Sequence, residues 1–220
     1  MRLRTQEDFV DAISTEISWR NRELTELKQL VQRSDGASFR QVTVIRAAIA
    51  LLYAHWEGFI KKVAEDYLNY VGMQRLTNGE LSSCMLAVVV RAQLSAAERS
   101  KKVEMHIGLV DYMRTKETVR ARLPYKNIIR TDSNLSSKGL LEILTTLGIS
   151  SDKYAAKSKL IDSQLLGKRN NIAHGNDLEV DADEYLDLHE QIAELLRTFR
   201  NDVENAVATS AFARPIQPSK

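Results

Sequence analysis

The chain has 220 residues, of which 44% are apolar and 27% are charged, with 31 Lys and Arg against 29 Asp and Glu. This length supports one substantial hydrophobic core and is short for two independent domains. A net charge of +2 gives no overall positive field, which excludes a protein that attracts nucleic acid through its total charge. Any site for a polyanion must therefore be local.

Several features bear on where the protein works. The first twenty residues carry charges throughout and lack the apolar segment of a secretory signal. Purely apolar runs, such as residues 85–90, are far shorter than the roughly 20 residues of a membrane span. The single cysteine, Cys84, excludes an intramolecular disulfide and lies in an apolar run, where we expect a buried, inert thiol. These features predict a cytoplasmic protein with no membrane partner.

The first half of the chain has the strongest helical pattern. Residues 5–32 are predicted to form one helix, because Thr5 and Asp8 have the spacing of a capping box and apolar residues recur at helical intervals. In residues 39–71 the apolar positions are separated only by threes and fours. At about 1.5 Å per residue this second helix would be roughly 50 Å long, which predicts a central element that the others pack around.

The second half also contains helical patterns, but they are shorter. Further helices are predicted over residues 80–97, 98–115, 137–147 and 152–173, the first two of which could be continuous, and from residue 181 onward. Residues 116–136 are expected to form a mostly irregular connection. Gly148 is the expected C-cap of the third of these helices, and Asp181 with Glu184 forms a second capping-box pattern.

Alternating strand patterns are absent from the sequence, so the predicted fold class is all-α. Residues 1–207 are expected to form one helical domain, followed by a flexible tail over residues 208–220. The enzyme motifs with a known physical logic, including phosphate-binding loops, nucleophile elbows and paired metal-binding histidines, do not occur. We therefore predict no metal and no cofactor.

One segment concentrates polar chemistry at a helix end. In LLGKRNNIAHG, residues 165–175, apolar positions give way to a run of polar side chains, namely Lys168, Arg169, Asn170, Asn171 and His174. A glycine then ends the helix. One interpretation is a functional cluster, and the alternative is a helix terminus that carries solvated side chains.

The segment RNNIAHG resembles the hallmark of the HEPN (higher eukaryotes and prokaryotes nucleotide-binding) superfamily, an Arg and a His separated by four to six residues before the last long helix. Here these residues are Arg169 and His174. Arg99 and His106 also satisfy the spacing, but only the second match has the Asn after the Arg and the Gly after the His. The stretch YAHWEGFIKKVAEDYL in the second helix is similar to bacterial free-standing members, so the resemblance covers roughly residues 5–205.

The resemblance implies an up-and-down helical bundle with a long central second helix, and a metal-independent endoribonuclease that leaves 2′,3′-cyclic phosphate ends. The 2′-OH of RNA supplies the nucleophile, so the protein needs a proton acceptor, a proton donor and a cation for the developing charge. His174 suits either proton role, and Arg169 offers a planar fork that matches two phosphate oxygens. Asn170 would hold the phosphate or the imidazole.

One chain supplies one histidine at this position, so the resemblance implies a homodimer. A two-fold pairing of the RNNIAHG segments would place two histidines and two arginines in one cleft. The expected partners are RNA, a second copy of the chain, and a cognate antitoxin or neighbouring defence protein, in a toxin-antitoxin or phage-defence role. A related subgroup carries a modified tyrosine two residues after the histidine, and this chain has Asn176 there.

Two further groups of residues are weaker candidates. Glu57 could reach Arg169 or His174 from the second helix, and Asn171 could support the site, although a structural or solvated role is the preferred interpretation of Glu57 and of the nearby His55. Contacts to the RNA backbone are predicted for Lys168 and for a basic stretch within residues 99–130, where the candidates are Arg114, Lys116, Arg120, Arg122, Lys126 and Arg130.

Charge is unevenly distributed along the chain. Residues 99–130 contain nine basic and three acidic residues, whereas residues 175–204 contain ten acidic and two basic residues. The alternative to RNA contacts is a solvated connection balanced by the acidic last helix. The alternatives to a ribonuclease are a non-catalytic helical dimer that binds a nucleotide or partner protein, and a toxin or antitoxin whose activity depends on a neighbouring gene.

Overall fold

The computed structural model describes residues 3–34, 38–100, 102–131, 134–177 and 179–215. Within these ranges the chain forms eight α-helices, one 3₁₀ helix and one π-helix, and its only extended pairings are two isolated β-bridges. The all-α prediction is confirmed. None of the described helices combines the length and the apolar character needed to cross a membrane.

Helix α1, Gln6–Arg33, begins at the predicted capping box. The hydroxyl of Thr5 accepts from the Asp8 N–H at 3.0 Å, and the Asp8 carboxylate accepts from the Thr5 N–H at 3.0 Å. These hydrogen bonds stabilise the ionised carboxylate and lower the pKa of Asp8. The apolar face of α1, from Phe9 to Val31, is buried against α2 and the last helix.

Helix α2, Phe39–Met73, is the central element, as predicted. Its 35 residues extend about 52 Å at 1.5 Å per residue. Its buried face extends from Ile45 to Val71, and it contacts α1 along with four later helical segments. This length lets one helix carry both the hydrophobic core and, near its middle, the candidate site.

Helices α3, Ser83–Arg99, and α4, Val103–Thr115, are separate and form a hairpin. The irregular connection after α4 starts beside the end of α2, where the Ala121 N–H donates to the Leu76 carbonyl at 2.8 Å. It reaches the middle of α2 at Leu135, whose N–H donates to the Tyr53 hydroxyl at 2.6 Å. The connection therefore runs back along α2 rather than away from the core.

Helix α5, Ser137–Leu147, ends as predicted at Gly148, which has a positive φ of 71°. The position is restricted further because a Cβ there would lie 2.7 Å from the Cys84 sulfur. At the other end, Ser136 caps the helix, and the Asp162 carboxylate accepts from the Ser137 N–H at 2.7 Å and from its hydroxyl at 2.5 Å. Asp162 thus ties α5 to the segment that leads to the candidate site.

The prediction of a single helix over residues 152–173 is wrong. The segment is divided into α6, Asp152–Ala155, a π-helix, Leu160–Gly167, and α7, Lys168–Ala173. In the wide π turn the Asp162 carbonyl would lie only 3.2 Å from a Cβ at Gly167, while the Asp162 side chain is held by α5. The Asp162 carbonyl belongs to the same turn, whereas its side chain contacts a residue 25 positions away, which apolar spacing does not register.

Helix α8, Ala182–Ala208, buries the predicted apolar stripe. Its N-terminus shows half of the predicted capping box, because the Asp181 carboxylate accepts from the Glu184 N–H at 2.7 Å. The Glu184 carboxylate pairs instead with the ammonium of Lys168 on α7. The second half of the capping box is replaced by a contact between helices.

The predicted flexible tail begins at residue 208, but the chain remains packed against the bundle beyond that residue. Phe212 is buried, and its ring lies 6.4 Å from the ring of Tyr67 and 5.9 Å from that of Tyr70. The Ser82 N–H donates to the Phe212 carbonyl at 2.8 Å. The rest of the predicted tail, residues 216–220, lies outside the described residues.

Candidate functional site

The candidate site lies where α7 meets the middle of α2. The guanidinium carbon of Arg169 lies 4.8 Å from the centre of the Tyr53 ring. Its Nη1 atom donates to the side-chain oxygens of Asn134 at 2.6 Å and of Asn170 at 2.9 Å. Three segments that are distant in sequence therefore orient one half-buried cation.

The contacts of Arg169 leave part of its hydrogen-bonding capacity unused. The hydrogen bonds to Asn134 and Asn170 both come from Nη1. Nε and Nη2 donate to no side chain or carbonyl among the described residues. A guanidinium carries five N–H donors in a planar fork, so the side chain is oriented and still has donors for two oxygens of a phosphate.

The ring of Tyr53 lies against the guanidinium of Arg169. Tyr53 is 2% exposed, and its hydroxyl accepts from the Leu135 N–H at 2.6 Å. Burial is the main reason that the pKa of Tyr53 is raised to about 12, with the charge of Glu57 acting in the same direction. The phenol is therefore neutral at physiological pH, and its ring face is available to the cation.

His174 forms the C-terminal end of α7, where its backbone N–H donates to the Asn170 carbonyl at 2.9 Å. Gly175 follows with a φ of 73°, and the Asn176 N–H donates to the Asn171 carbonyl at 2.9 Å, which closes the turn. The imidazole is exposed and makes no hydrogen bond or ion pair within the described part of the chain. The side chain is thus free to meet a ligand.

The structure places the predicted site residues in two groups. Asn170 contacts Arg169 directly, whereas the prediction gave its side chain the phosphate or the imidazole. The Asn171 side-chain oxygen accepts from Asn176 at 3.2 Å, so this residue belongs to the turn. Lys168 is occupied by Glu184 on α8, and its side chain is only 13% exposed, which leaves it poorly placed for a phosphate of RNA.

Glu57 is near the site, but not as predicted. It lies four residues after Tyr53 on α2, where its charge helps to raise the pKa of the phenol, and no contact with Arg169 or His174 is present among the described residues. Residues at positions i and i+4 share one helix face, so Glu57 lies on the same face of α2 as Tyr53.

His55 lies outside the candidate site, in agreement with the structural or solvated role that is the preferred interpretation of its sequence position. It is 5% exposed, its Nε2 atom lies 2.8 Å from a Glu23 carboxylate oxygen, and its ring contacts that of Trp19 edge-on. Burial is the main cause of its lowered pKa, and Glu23 opposes that shift. This histidine joins α2 to α1 and has a structural role.

RNA contacts are predicted for Arg114 at the end of α4 and for five cations of the connection. All six are exposed, and none forms a salt bridge with another described residue. Among the described contacts, no ion pair joins the connection to α8, so the predicted balance by the acidic helix is not made through direct pairs. The connection passes along α2 from Gly72 to Tyr53, about 28 Å at 1.5 Å per residue. It forms a basic path that ends beside Arg169. In the described part of the chain, no three His, Cys, Asp or Glu side chains are grouped to hold a metal ion.

The family model of the HEPN_MAE_28990-like HEPN family matches residues 9–212. The chain belongs to this HEPN family. No curated protein and no solved structure matches it.

Membership of the HEPN family indicates a function that involves nucleotides or RNA. The matched region ends at Phe212, the residue that packs against α2 beyond the predicted end of the domain. The match therefore covers the whole packed bundle, including both halves of the candidate site.

Sequence reasoning missed two residues of the HEPN site, Tyr53 and Asn134. Tyr53 is adjacent to the apolar stripe of α2, and its only local signal is Glu57 four residues later. Asn134 belongs to an irregular connection, where no periodicity identifies a contact. Their roles follow from where the connection crosses α2.

Proposed function

We propose that this HEPN protein is a metal-independent endoribonuclease in which Arg169, Asn170 and His174 form the catalytic site. The observation that supports the proposal is the oriented guanidinium of Arg169, held through Nη1 with donors remaining on Nε and Nη2, on the same short helix as an exposed imidazole. Arg169 neutralises the charge that develops on the phosphorus centre. His174 moves the proton, and the product carries a 2′,3′-cyclic phosphate.

The proposed reaction requires both a base and an acid, and each α7 supplies one histidine. In a two-fold homodimer, the exposed end of α7 would face its own copy, so that one His174 takes the proton of the 2′-OH while the other protonates the leaving oxygen. The exposed imidazole supports this arrangement, because a histidine buried within one chain could not be shared.

The basic connection supplies the proposed path for the RNA backbone. Its exposed cations follow α2 toward Tyr53 and so approach the Arg169 side of the site. Such contacts are independent of sequence and depend on salt. We place the protein in the cytoplasm, in a toxin-antitoxin or phage-defence role, with a cognate antitoxin or neighbouring defence protein as its partner.

An RNA cleavage assay in the presence of EDTA tests the proposal. Wild-type protein is expected to cleave and to leave cyclic phosphate ends, whereas Arg169→Ala and His174→Ala abolish cleavage with unchanged helix content. Asn171→Ala is the matched control, since its side chain contacts only the turn. Undiminished cleavage by both site variants would overturn the assignment.

The shared site has its own test. When excess His174→Ala is exchanged into a fixed amount of wild-type protein, mixed dimers lose one of the two histidines that the reaction needs. Activity per wild-type chain is then expected to fall as mixed dimers replace wild-type dimers. Constant activity per wild-type chain would show that each chain acts alone.

A second candidate function is a non-catalytic helical dimer that binds a nucleotide or a partner protein. Helix α4 favours it, because none of its residues is buried and Val103, Ile107 and Val110 are between 46% and 67% exposed. Stable binding of a nucleotide or protein, with no cleavage of RNA by the wild type, would support this candidate over the ribonuclease.

A further inference from the structure

A cavity lies away from the Arg169 site, between the first turn of α3 and the end of α4. Its volume is about 600 Å³, within the range of small-molecule sites. It shares no lining residue with the Arg169 site. Its charged and polar wall includes Asn78, Arg114, Lys116 and Arg214, and its apolar wall includes Leu86 and Met113.

The N-terminus of α3 opens into this cavity without an internal cap. The Ser82 side chain makes no capping hydrogen bond and lies 3.2 Å from the Cys84 sulfur, and the first turn contains no acidic residue. The backbone N–H groups of Ser83 and Cys84 therefore have no partner among the described residues. Unpaired amides at the positive end of a 17-residue helix favour an anion.

Side-chain charges at the cavity have the same preference. Arg114 and Lys116 are exposed and unpaired within the described chain, while Arg214 lies 3.5 Å from Glu117 with both side chains largely in solvent. Three cations thus line the cavity with one carboxylate. The nearby Glu80 is already used, because its carboxylate accepts from both the N–H and the hydroxyl of Thr77.

Asn78 points to a second feature of the ligand. It is 5% exposed, and its amide nitrogen donates to the Lys116 carbonyl at 2.9 Å and to the Tyr112 hydroxyl at 3.4 Å. The carbonyl partner fixes the orientation of the amide, because the opposite orientation would set two acceptors against each other. The Asn78 side-chain oxygen is then a buried acceptor with no partner in the described chain, so it calls for an N–H or O–H donor.

We propose that this cavity binds a small organic phosphate. The phosphate lies at the first turn of α3 between Arg114, Lys116 and Arg214, and an N–H or O–H of the organic part donates to Asn78. The apolar part of the molecule packs against Leu86 and Met113. The cavity shares Arg114 and Lys116 with the proposed path of the RNA backbone, but it shares no residue with the Arg169, Asn170 and His174 cluster, so this binding does not require RNA cleavage.

Isothermal titration calorimetry on the full chain tests the proposal with AMP as the probe. Wild-type protein is expected to bind AMP. Adenosine lacks the phosphate and inorganic phosphate lacks the organic part, so each is expected to bind at least about tenfold more weakly. The double variant Arg114→Gln with Lys116→Gln is expected to weaken AMP binding at least about tenfold. Lys126→Gln with Arg130→Gln is the matched control, because these exposed cations lie on the same connection outside the cavity.

Asn78→Asp places a negative charge at this wall of the cavity without changing the size of the side chain, and so tests whether the ligand is an anion. The added negative charge is expected to weaken AMP binding at least about tenfold, with thermal unfolding used to confirm that the variant is folded. No AMP binding by the wild type, unchanged binding by the Arg114 and Lys116 variant, or equal affinities for AMP and inorganic phosphate would each overturn the proposal. Loss of AMP binding in Arg169→Ala would assign the ligand to the other site.

Discussion

The guanidinium of Arg169 stacks over the ring of Tyr53 with 4.8 Å between the guanidinium carbon and the ring centre. The same ring carries the hydroxyl that anchors Leu135, one residue after the asparagine that accepts from Arg169. Tyr53 therefore supports the cation directly through its face and indirectly through the connection. This relationship links the geometry of the HEPN site to the central helix.

Replacement of Tyr53 should separate these two contributions. Tyr53→Phe keeps the ring but leaves the buried Leu135 N–H unpaired, which is expected to lower the free energy of unfolding by about 1–3 kcal/mol. Tyr53→Leu also removes the cation–π contact, worth about 0.5–2 kcal/mol, and should lower kcat/KM for RNA cleavage up to about tenfold below Tyr53→Phe. Urea unfolding and cleavage assays, both run where the variants are folded, measure the two effects. Equal activity of the two variants would contradict the supporting role of the ring.

Asn134 is expected to control how freely Arg169 meets a phosphate. Asn134→Ala removes the 2.6 Å hydrogen bond and loosens the guanidinium, so RNA affinity should fall severalfold. Asn134→Asp should be worse, by about tenfold relative to the wild type, because a carboxylate at this distance competes with phosphate for the same cation. Fluorescence anisotropy with an RNA analogue that lacks the reactive 2′-OH would give the order. An Asn134→Asp variant that binds as tightly as the wild type would exclude a phosphate contact by Arg169.

The segment after α8 is expected to be part of the folded core. Phe212→Ala should lower the free energy of unfolding by about 3–5 kcal/mol, because it removes an aromatic ring packed between Tyr67 and Tyr70. Phe39→Ala is the matched control, since Phe39 is 87% exposed and its loss should change stability by less than about 0.5 kcal/mol. Urea unfolding of both variants is the measurement. Equally small effects would show that the segment after α8 is a flexible tail and not part of the core.

The stability of the protein should fall as the pH drops from 7.5 to 5.5. Burial lowers the pKa of His189 below its ordinary value of 6.5, so the folded chain binds this proton less readily than the unfolded chain does. The stabilisation is complete above pH 6.5 and is lost as the pH falls toward the folded pKa. His55 shifts in the same direction.

Substitution of His189 tests this dependence. His189→Gln keeps a donor for the Leu24 carbonyl, 3.2 Å from Nε2, but cannot titrate, so part of the loss between pH 7.5 and 5.5 should disappear. The exposed His174→Gln is the control and should show the same fall as the wild type. Urea unfolding at the two pH values gives both results. An undiminished fall in His189→Gln would assign the pH dependence to other groups.

Local signals predicted the helical elements well. The start of α1 at Thr5, the end of α5 at Gly148 and the buried stripe of α2 all depend on residues within a few positions of one another. Capping hydrogen bonds and helical periodicity have this short range, so they are visible in the sequence. The Arg169 to His174 spacing belongs to the same class, because it lies within one short helix.

Contacts between distant segments were not predictable in this way. The π-helix contains Asp162, whose carboxylate contacts the start of α5, and the packed end of the chain depends on Phe212 meeting α2. The partners of Arg169 come from α2 and from an irregular connection, which neither propensity nor periodicity brings together. The sequence by itself determined an all-α chain in which an Arg and a His with HEPN-like spacing lie at one helix end. The tertiary structure alone decided which face of Arg169 is held and which donors remain for a phosphate, because that depends on where the connection crosses α2.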